Sequence, residues 1–464
     1  MTLPAAPSLV GKKGHLLRIL GVGFGIAIIV GGAIGSGILR TPGLVAAQLR
    51  SPGLIISVWL VGGVYAFCCT LSVIELGAML PRAGGWYVFS RRAFGEYAGF
   101  SVGSIDWIAQ AVAVAYLAVA FADFAAELLP SLHGYVKLVS VASVIALTLL
   151  NWIGLRAGSR TQELTCLIKA LALIAFVVAC FVIIPQGAPE GSGVPASLVA
   201  PKGGLLLGVL LALQAVIVTY DGWYFAIYFT EEDRDPARNL PRSSIVGVLA
   251  CLAVYVLMNT ALLHTLPMNR LAGSEIPAAD AAMAIFDGRG KQIILVLAMV
   301  TVLSALNATV LLSCRILFGM GREGWLPPWV ALVNPGGTPS AALLIVSLAS
   351  IALILSGGYE RLIGVASFLV VVLYLSGFCA LFALRVREPD LPRPFKAWGY
   401  PWTNLGVLLA SVAFLVATVV GDLKDALFTL ILISLSYPVY FLAARRKRLL
   451  LSTSDGIAVQ LSDE

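Results

Sequence analysis

Gly31-Gly32-Ala33-Ile34-Gly35-Ser36-Gly37-Ile38-Leu39-Arg40-Thr41-Pro42-Gly43 lies inside the first strongly apolar segment of the chain. Four glycines and two other small residues fill its first seven positions, and glycine weakens a helix because it has the most backbone freedom to lose. A helix that unwinds within a bilayer leaves N–H and C=O groups that are costly unless protein, water or ligand satisfies them. The stretch therefore predicts a polar site at membrane depth. The alternative, from the glycines alone, is close helix packing through small residues.

The composition is that of a membrane protein. Hydrophobic residues make up 59% of the 464 residues and charged residues 12%, against about 45–50% and about 25% in soluble domains. The apolar runs are long enough to cross a hydrocarbon core of about 30 Å, so we predict an all-α polytopic membrane protein. Twelve spans are expected, at approximately 19–47, 54–80, 98–128, 134–153, 162–184, 203–229, 242–265, 292–319, 340–357, 362–384, 404–422 and 426–444.

The basic residues predict the orientation of these spans. With the N-terminus inside, 21 of the 31 lysines and arginines fall in cytoplasmic segments, nine fall on the opposite side, and Lys169 belongs to neither. This asymmetry indicates that both termini are cytoplasmic, and it accounts for the net charge of +7 without a nucleic-acid partner. We expect a multi-pass protein of the plasma membrane, in bacteria the inner membrane, with no removable signal peptide.

Enzyme and metal chemistry find little support in the sequence. The seven cysteines lie in or beside apolar runs without metal-ligand spacing, and the three histidines are scattered over the tail and loop ends. No Ser/His/Asp constellation occurs at membrane depth. We therefore expect no catalytic residues, no metal and no cofactor. A channel is also disfavoured, because a continuous pore requires neither interrupted helices nor a lysine within a span.

A second stretch interrupts the sixth apolar span. Val218-Thr219-Tyr220-Asp221-Gly222-Trp223 places a charged residue and a glycine in an otherwise apolar run. Two interrupted helices at corresponding positions of two five-helix halves indicate an inverted-repeat transporter with its site at mid-membrane. We predict one transporter domain, 1–448, with repeats at about 19–184 and 203–384, extra helices at about 404–444, and a short cytoplasmic tail at 449–464.

Four motifs, in this order along the chain, resemble the amino acid–polyamine–organocation (APC) superfamily. They are Gly35-Ser36-Gly37-Ile38, Glu75–Gly85, Thr230–Arg242 and Pro389–Phe395, and they look closest to the L-type amino acid transporter branch and its bacterial relatives. The resemblance implies a LeuT-like fold, in which helices 1–5 and 6–10 are inverted repeats, helices 1 and 6 are unwound, and two helices are extra. It also implies a sodium-independent amino acid transporter that works by alternating access.

The resemblance favours neutral amino acids and, by a small margin, exchange over proton symport. The alternative is a proton-coupled symporter of cationic amino acids or polyamines. Human L-type members pair with a single-span glycoprotein, but nothing in this sequence indicates an accessory protein. The expected partners are therefore a free amino acid, the lipid bilayer and, for symport, protons.

The resemblance also assigns a substrate site made largely of backbone atoms. The carboxylate is expected at N–H groups that begin a half-helix, where the helix dipole favours an anion; these belong to Ser36, Gly37 and Ile38. The Ser36 hydroxyl is a further donor. The ammonium group is expected at unwound carbonyls, those of Ala33, Val218 and Asp221.

Lys169 lies within the fifth apolar span, where a charged side chain is costly. It could snorkel to the cytoplasmic surface. By resemblance, it would instead be a buried ammonium near the helix 1 break and helix 8, where sodium-coupled relatives of this fold hold a cation. A buried lysine that loses its proton could also carry protons, so exchange and symport both stay open.

Asp221 departs from the L-type pattern, which usually has a small uncharged residue there. Its carboxylate could hold the ammonium, favour a cationic side chain, act as a coupling group, pair with a nearby base, or face a wet vestibule without a role. Asp106 in span 3 is a similar but weaker candidate. Val218 is smaller than the aromatic gate residue usual in the branch.

Three further residues are candidates for the pocket or gate. Tyr220 and Trp223 follow the second break, although aromatic side chains in membrane helices more often serve packing. Asn307 in span 8 either lines the side-chain pocket or hydrogen-bonds between helices. We expect Glu231 and Glu232 to pair with the arginines of 234–242 in a cytoplasmic surface loop, where ion pairs are usually weak.

Overall fold

The computed structural model describes residues 15–183, 204–357, 359–421 and 423–460. The predicted limits of the two repeats at 184 and 203 lie outside these ranges, as do both ends of the chain. The sixteen α-helices in the described residues are α1 (Val22–Ala33), α2 (Gly37–Leu49), α3 (Pro52–Met79), α4 (Trp86–Phe94), α5 (Glu96–Leu128), α6 (Val136–Ile153), α7 (Leu155–Val182), α8 (Gly204–Thr219), α9 (Pro236–Thr265), α10 (Met268–Gly273), α11 (Pro277–Phe286), α12 (Gly290–Arg322), α13 (Ser340–Ser356), α14 (Tyr359–Arg387), α15 (Trp402–Gly421) and α16 (Leu423–Gln460).

Each predicted span contains a helix, and the predicted all-α architecture is confirmed. Among the described residues, seven helices are long and apolar enough to cross a membrane, and the bent pair α1 and α2 could form an eighth span. Shorter apolar helices α8, α13 and α15 occupy three further predicted spans. At the end of the chain, α16 continues to Gln460, into the stretch predicted as a tail.

The two interrupted spans are broken where the sequence predicts. The axes of α1 and α2 differ by 45° across the break. In the sixth span α8 ends at Thr219, and a short 3-10 helix, Phe225–Phe229, follows after a turn. Both breaks contain glycine beside a polar residue, so the backbone can leave the helical ladder at these positions without steric cost.

Helices of the first half pack against their counterparts in the second half. Thus α2 contacts α8, α3 contacts α9, α5 contacts α12, and α6 contacts α13. This pattern of pairs agrees with a two-fold pseudo-symmetry between two five-helix repeats. The two broken spans therefore lie side by side, and α7 packs against α1, α9 and α12 next to them.

A buried ion pair holds the chain after the second break. Arg315 Nε lies 2.7 Å from Glu232 Oε2, and the two side chains are 1% and 0% exposed. Burial raises the pKa of the Glu232 carboxyl, and the neighbouring guanidinium opposes that shift. Glu231 pairs with Arg322. The expected surface pairing with the arginines of 234–242 is therefore wrong, because both carboxylates turn inward toward α12.

A second buried carboxylate joins α3 to α14 at the same end of the bundle. Glu75 is fully buried and accepts hydrogen bonds from Arg385 at 2.6 and 2.7 Å. The Arg393 Nε atom lies 3.2 Å from the same carboxylate, and the Ala397 N–H donates to it at 2.7 Å. These contacts connect two of the four sequence motifs in space.

Candidate functional site

The backbones of the two breaks touch each other. Gly222, in the second break, has φ +110°, a conformation that residues with a side chain rarely adopt. A Cβ atom at this position would lie 2.6 Å from Ala33 N and 2.8 Å from Gly32 C. Only glycine allows this approach, so the two breaks form one site.

Tyr255 of α9 bridges the same two breaks. Its hydroxyl lies 2.6 Å from Ala33 O and 2.9 Å from Thr219 O, and it can donate its single proton to one carbonyl at a time. This role of Tyr255 was not predicted, because a single tyrosine within an apolar span is typical of a packing residue. The hydroxyls of Thr41 and Thr219 add a second link, at 2.9 Å.

Lys169 is fully buried at the first break. Its Nζ atom donates hydrogen bonds to Gly31 O and Ile34 O, both at 2.9 Å. The carbonyls at the end of α1 have no partner within the helix, and a positive charge at a helix C-terminus is favourable. The ammonium group therefore satisfies the carbonyls that the break exposes, and the snorkelling alternative does not describe its position.

A cavity of about 540 Å³ lies beside the two breaks. Helices α5, α12 and α14 complete its wall, and it extends toward the end of the bundle where α2 ends and α8 begins, past Leu44 and Leu211. Five of the six predicted substrate-binding residues line it, namely Ala33, Ser36, Gly37, Val218 and Asp221. The sixth, Ile38, is fully buried and does not line the cavity.

The cavity wall is largely apolar, with few polar groups. Among the described lining residues, Asp221 is the only charged one, and the Tyr374 hydroxyl of α14 donates a hydrogen bond to Asp221 Oδ1. Tyr374 is a second site residue that the sequence did not predict. Further polar side chains on the wall are Thr41, Tyr65, Gln110, Tyr116, Gln214, Thr219, Tyr224 and Thr309.

Asp106 lies behind the cavity wall rather than on it. It is fully buried, and the Tyr228 hydroxyl, which donates to this carboxylate, lies 3.0 and 2.8 Å from its two oxygens. Gln110 donates to Asp106 Oδ1 at 3.3 Å and lines the cavity. Asp106 therefore does not line the cavity, because its carboxylate joins α5 to the 3-10 helix after the second break; a role in the gate stays a prediction.

The three other pocket or gate candidates also lie behind the wall. The Tyr220 hydroxyl donates to Trp59 O at 3.1 Å. The ring centroid of Trp223 lies 5.0 Å from that of Tyr374, so Trp223 packs behind a wall residue. Neither side chain lines the cavity, because internal contacts hold both, and a role in the gate stays a prediction.

Asn307 joins helices, the second of its two alternatives. Its side chain accepts from Asn151 Nδ2 and donates to Gln162 Oε1, both at 2.9 Å. Gln162 in turn donates to Ala27 O at 3.1 Å. This buried network connects α6, α7, α12 and α1 next to the first break.

Comparisons with known proteins agree with this architecture. A family model described as amino acid permease matches residues 25–437. The serine/threonine exchanger SteT of Bacillus subtilis is 27% identical over 437 residues, which cover 93% of this chain and 98% of the relative. The human large neutral amino acids transporter small subunit 2 is 30% identical over 400 residues, 82% of this chain and 72% of the relative. The mouse Asc-type amino acid transporter 1 is 29% identical over 440 residues, 92% and 81% of the two chains.

Proposed function

The chain belongs to the amino acid permease family, and we propose that it is a sodium-independent exchanger of neutral amino acids. Membership of the family confirms the resemblance predicted from the four sequence motifs. Two relatives are named for serine/threonine exchange and for large neutral amino acids, which favours neutral substrates over the cationic or polyamine alternative. The proposed transporter is a single domain of two inverted repeats and two extra helices.

One observation carries this proposal: the cavity lies beside two helix breaks that touch each other, and these breaks present partial positive charge at one helix end and partial negative charge at others. The N-terminus of α2, at Gly37, offers N–H groups for a carboxylate. The carbonyl-rich ends of α1 and α8 and the Asp221 carboxylate supply negative charge for an ammonium group. A free amino acid carries both groups, so it matches both ends of this site.

Lys169 supports transport without sodium. Its ammonium group already occupies carbonyl oxygens of the first break, the kind of ligand that would otherwise suit a metal cation. A lysine that keeps its proton supplies a permanent positive charge there, which favours exchange over proton symport.

The direction in which the cavity extends fits alternating access. It reaches toward the end of the bundle opposite the ion pairs of Glu75 and Glu232. In the orientation proposed from the arginine distribution, the ion-paired end and both termini are cytoplasmic, and the structure is an outward-facing state. We place the protein in the plasma membrane, in bacteria the inner membrane.

Counter-flow in proteoliposomes tests this function. The purified chain, without an accessory protein, is reconstituted without sodium, and uptake of labelled L-serine and L-leucine is measured with and without internal amino acid. We expect uptake that requires internal amino acid and ignores an inward proton gradient. Gradient-driven uptake into empty vesicles would instead establish proton symport, and no saturable uptake of either substrate would refute the proposed function.

Lys169→Met is expected to lower the exchange rate at least about tenfold, because Gly31 O and Ile34 O lose charge-assisted hydrogen bonds. Lys137→Met is the matched control, since Lys137 is exposed, does not line the cavity and contacts Leu355 O of α13. Restoration of Lys169→Met activity by sodium would support the view that the ammonium replaces a cation. Exchange at the wild-type rate would contradict a role for Lys169.

A further inference from the structure

We propose that the Asp221 carboxylate is the counter-ion of the substrate's α-ammonium group, and that Tyr374 is its positioning residue. The inference rests on the proposed amino acid exchange and deepens it, because it names the group that recognises the amine. It selects one of the roles that the sequence leaves open for Asp221, that of holding the ammonium, over recognition by backbone carbonyls alone. The experiment below separates the two.

Two of the three backbone carbonyls predicted to receive the ammonium, those of Ala33 and Val218, already accept hydrogen bonds. Ala33 O accepts from the Gly35 N–H at 3.0 Å and lies 2.6 Å from the Tyr255 hydroxyl. Val218 O accepts from the Asp221 N–H at 3.2 Å. The carbonyls of Gly31 and Ile34 accept from Lys169, and that of Thr219 lies within reach of Tyr255. Each of these oxygens therefore has at most one lone pair left, whereas an ammonium group brings three protons and a full positive charge.

The Asp221 carboxylate, in contrast, has acceptor capacity available for the ammonium. Tyr374 donates to Oδ1, and among the described residues no ion pair includes Asp221. The residue lines the cavity and is partly exposed to it. A carboxylate at membrane depth is costly unless it is paired, and the substrate's ammonium is the cation that enters this cavity. Gly222, the next residue, touches the backbone of Ala33, so Asp221 stands at the level of the first break.

The single charge on the wall also limits the class of substrate. If Asp221 pairs with the α-ammonium, the cavity holds no second carboxylate for a cationic side chain among the described residues. The remaining wall near α5, α12 and α14 offers mainly small or apolar side chains, namely Ala109, Ala113, Ala305, Val370 and Val371. The site is thus suited to a zwitterion with a neutral side chain and a free amino group.

The test compares each amino acid with its α-hydroxy acid analogue, which lacks the ammonium group. Competition by L-serine and glycerate, and by L-leucine and leucic acid, is measured against exchange by wild type and by Asp221→Asn. In the wild type we expect the hydroxy acid to compete at least about 30-fold more weakly, because it leaves a desolvated carboxylate unpaired. In Asp221→Asn we expect the amino acid to weaken by a similar factor, so that the ratio falls to about threefold or less.

Further variants distinguish recognition from folding. Tyr374→Phe is expected to give an intermediate ratio, and Asp123→Asn, an exposed carboxylate outside the cavity, to keep the wild-type ratio. An Asp221→Asn protein with the wild-type ratio would overturn the inference while leaving amino acid exchange intact. If that variant does not fold, the competition ratio of the wild type still tests the inference. Equal competition by the amino acid and its hydroxy acid would overturn the inference. Absence of wild-type counter-flow would refute the proposed function itself.

Discussion

Gly222→Ala is expected to abolish exchange and to destabilise the protein by about 3 kcal/mol or more. The backbone of Gly222 has φ +110°, and its Cβ would collide with backbone atoms of Gly32 and Ala33. These are backbone atoms of the opposing break, so they cannot rotate away as a side chain would. The collision is relieved only if the two breaks move apart, which disrupts the substrate site. Exchange in proteoliposomes and thermal unfolding in detergent measure the two effects.

Gly53→Ala is the control for the glycine change. Gly53 lies in the first turn of α3, is exposed, and a Cβ there would meet nothing within 4 Å. This variant should therefore exchange at the wild-type rate. A Gly222→Ala protein with the melting temperature and exchange rate of the wild type would contradict the contact between the two breaks.

The positions of both breaks were predictable from sequence because their cause is local. Glycine at Gly35 and Gly222, beside Ser36 and Asp221, interrupts an apolar run wherever that run sits in the fold. The same holds for Lys169, since a lysine within a span must find partners in the protein or in water. Its partners are carbonyls of the first break, where the resemblance placed it.

Which side chains face the cavity was not predictable, because the spans are apolar on nearly all sides. Without a polar face, the sequence does not fix the rotation of each helix; packing against neighbours does. Trp223 and Tyr374 illustrate this, since both are aromatic residues in apolar surroundings but only Tyr374 reaches the cavity. The position of Asp106 behind the cavity wall was not predictable for a related reason, because its partner Tyr228 lies 122 residues away in the chain.

The loop after the second break shows a different limit of sequence reasoning. A Glu-Glu pair followed by arginines predicts a solvated, locally paired segment. The structure instead buries Glu232 against Arg315, 83 residues away. Nothing in the local sequence distinguishes Glu232 from the acidic residues on either side of it, which are only partly buried, so only the packing of α12 reveals the ion pair. This ion pair lies at the end of the bundle where the cavity is closed, so it bears on how the cavity opens.

Single removal of either partner of this ion pair is therefore expected to cost about 3–5 kcal/mol of stability. Glu232 and Arg315 are joined by two hydrogen bonds, 2.7 and 2.9 Å long, and the guanidinium lies 4.5 Å from the Phe229 ring. Glu232→Gln or Arg315→Met leaves the other charge buried without a counter-ion. The double variant removes both charges, so it should be more stable than either single variant. Denaturant titration in mixed micelles measures all three.

A surface pair provides the control and locates the effect. Arg92 and Glu388 lie 2.8 Å apart with side chains 42% and 26% exposed, so Arg92→Met should cost about 0–1 kcal/mol. If Arg315→Met cost no more than Arg92→Met, the buried pair would not stabilise this end of the bundle. The double variant could instead be as unstable as the single variants. The attraction between the two charges would then stabilise the closed end, and the cost of leaving one charge unpaired would not explain the loss. In the orientation proposed above, that pairing must be broken or carried along whenever the cavity opens to the cytoplasm.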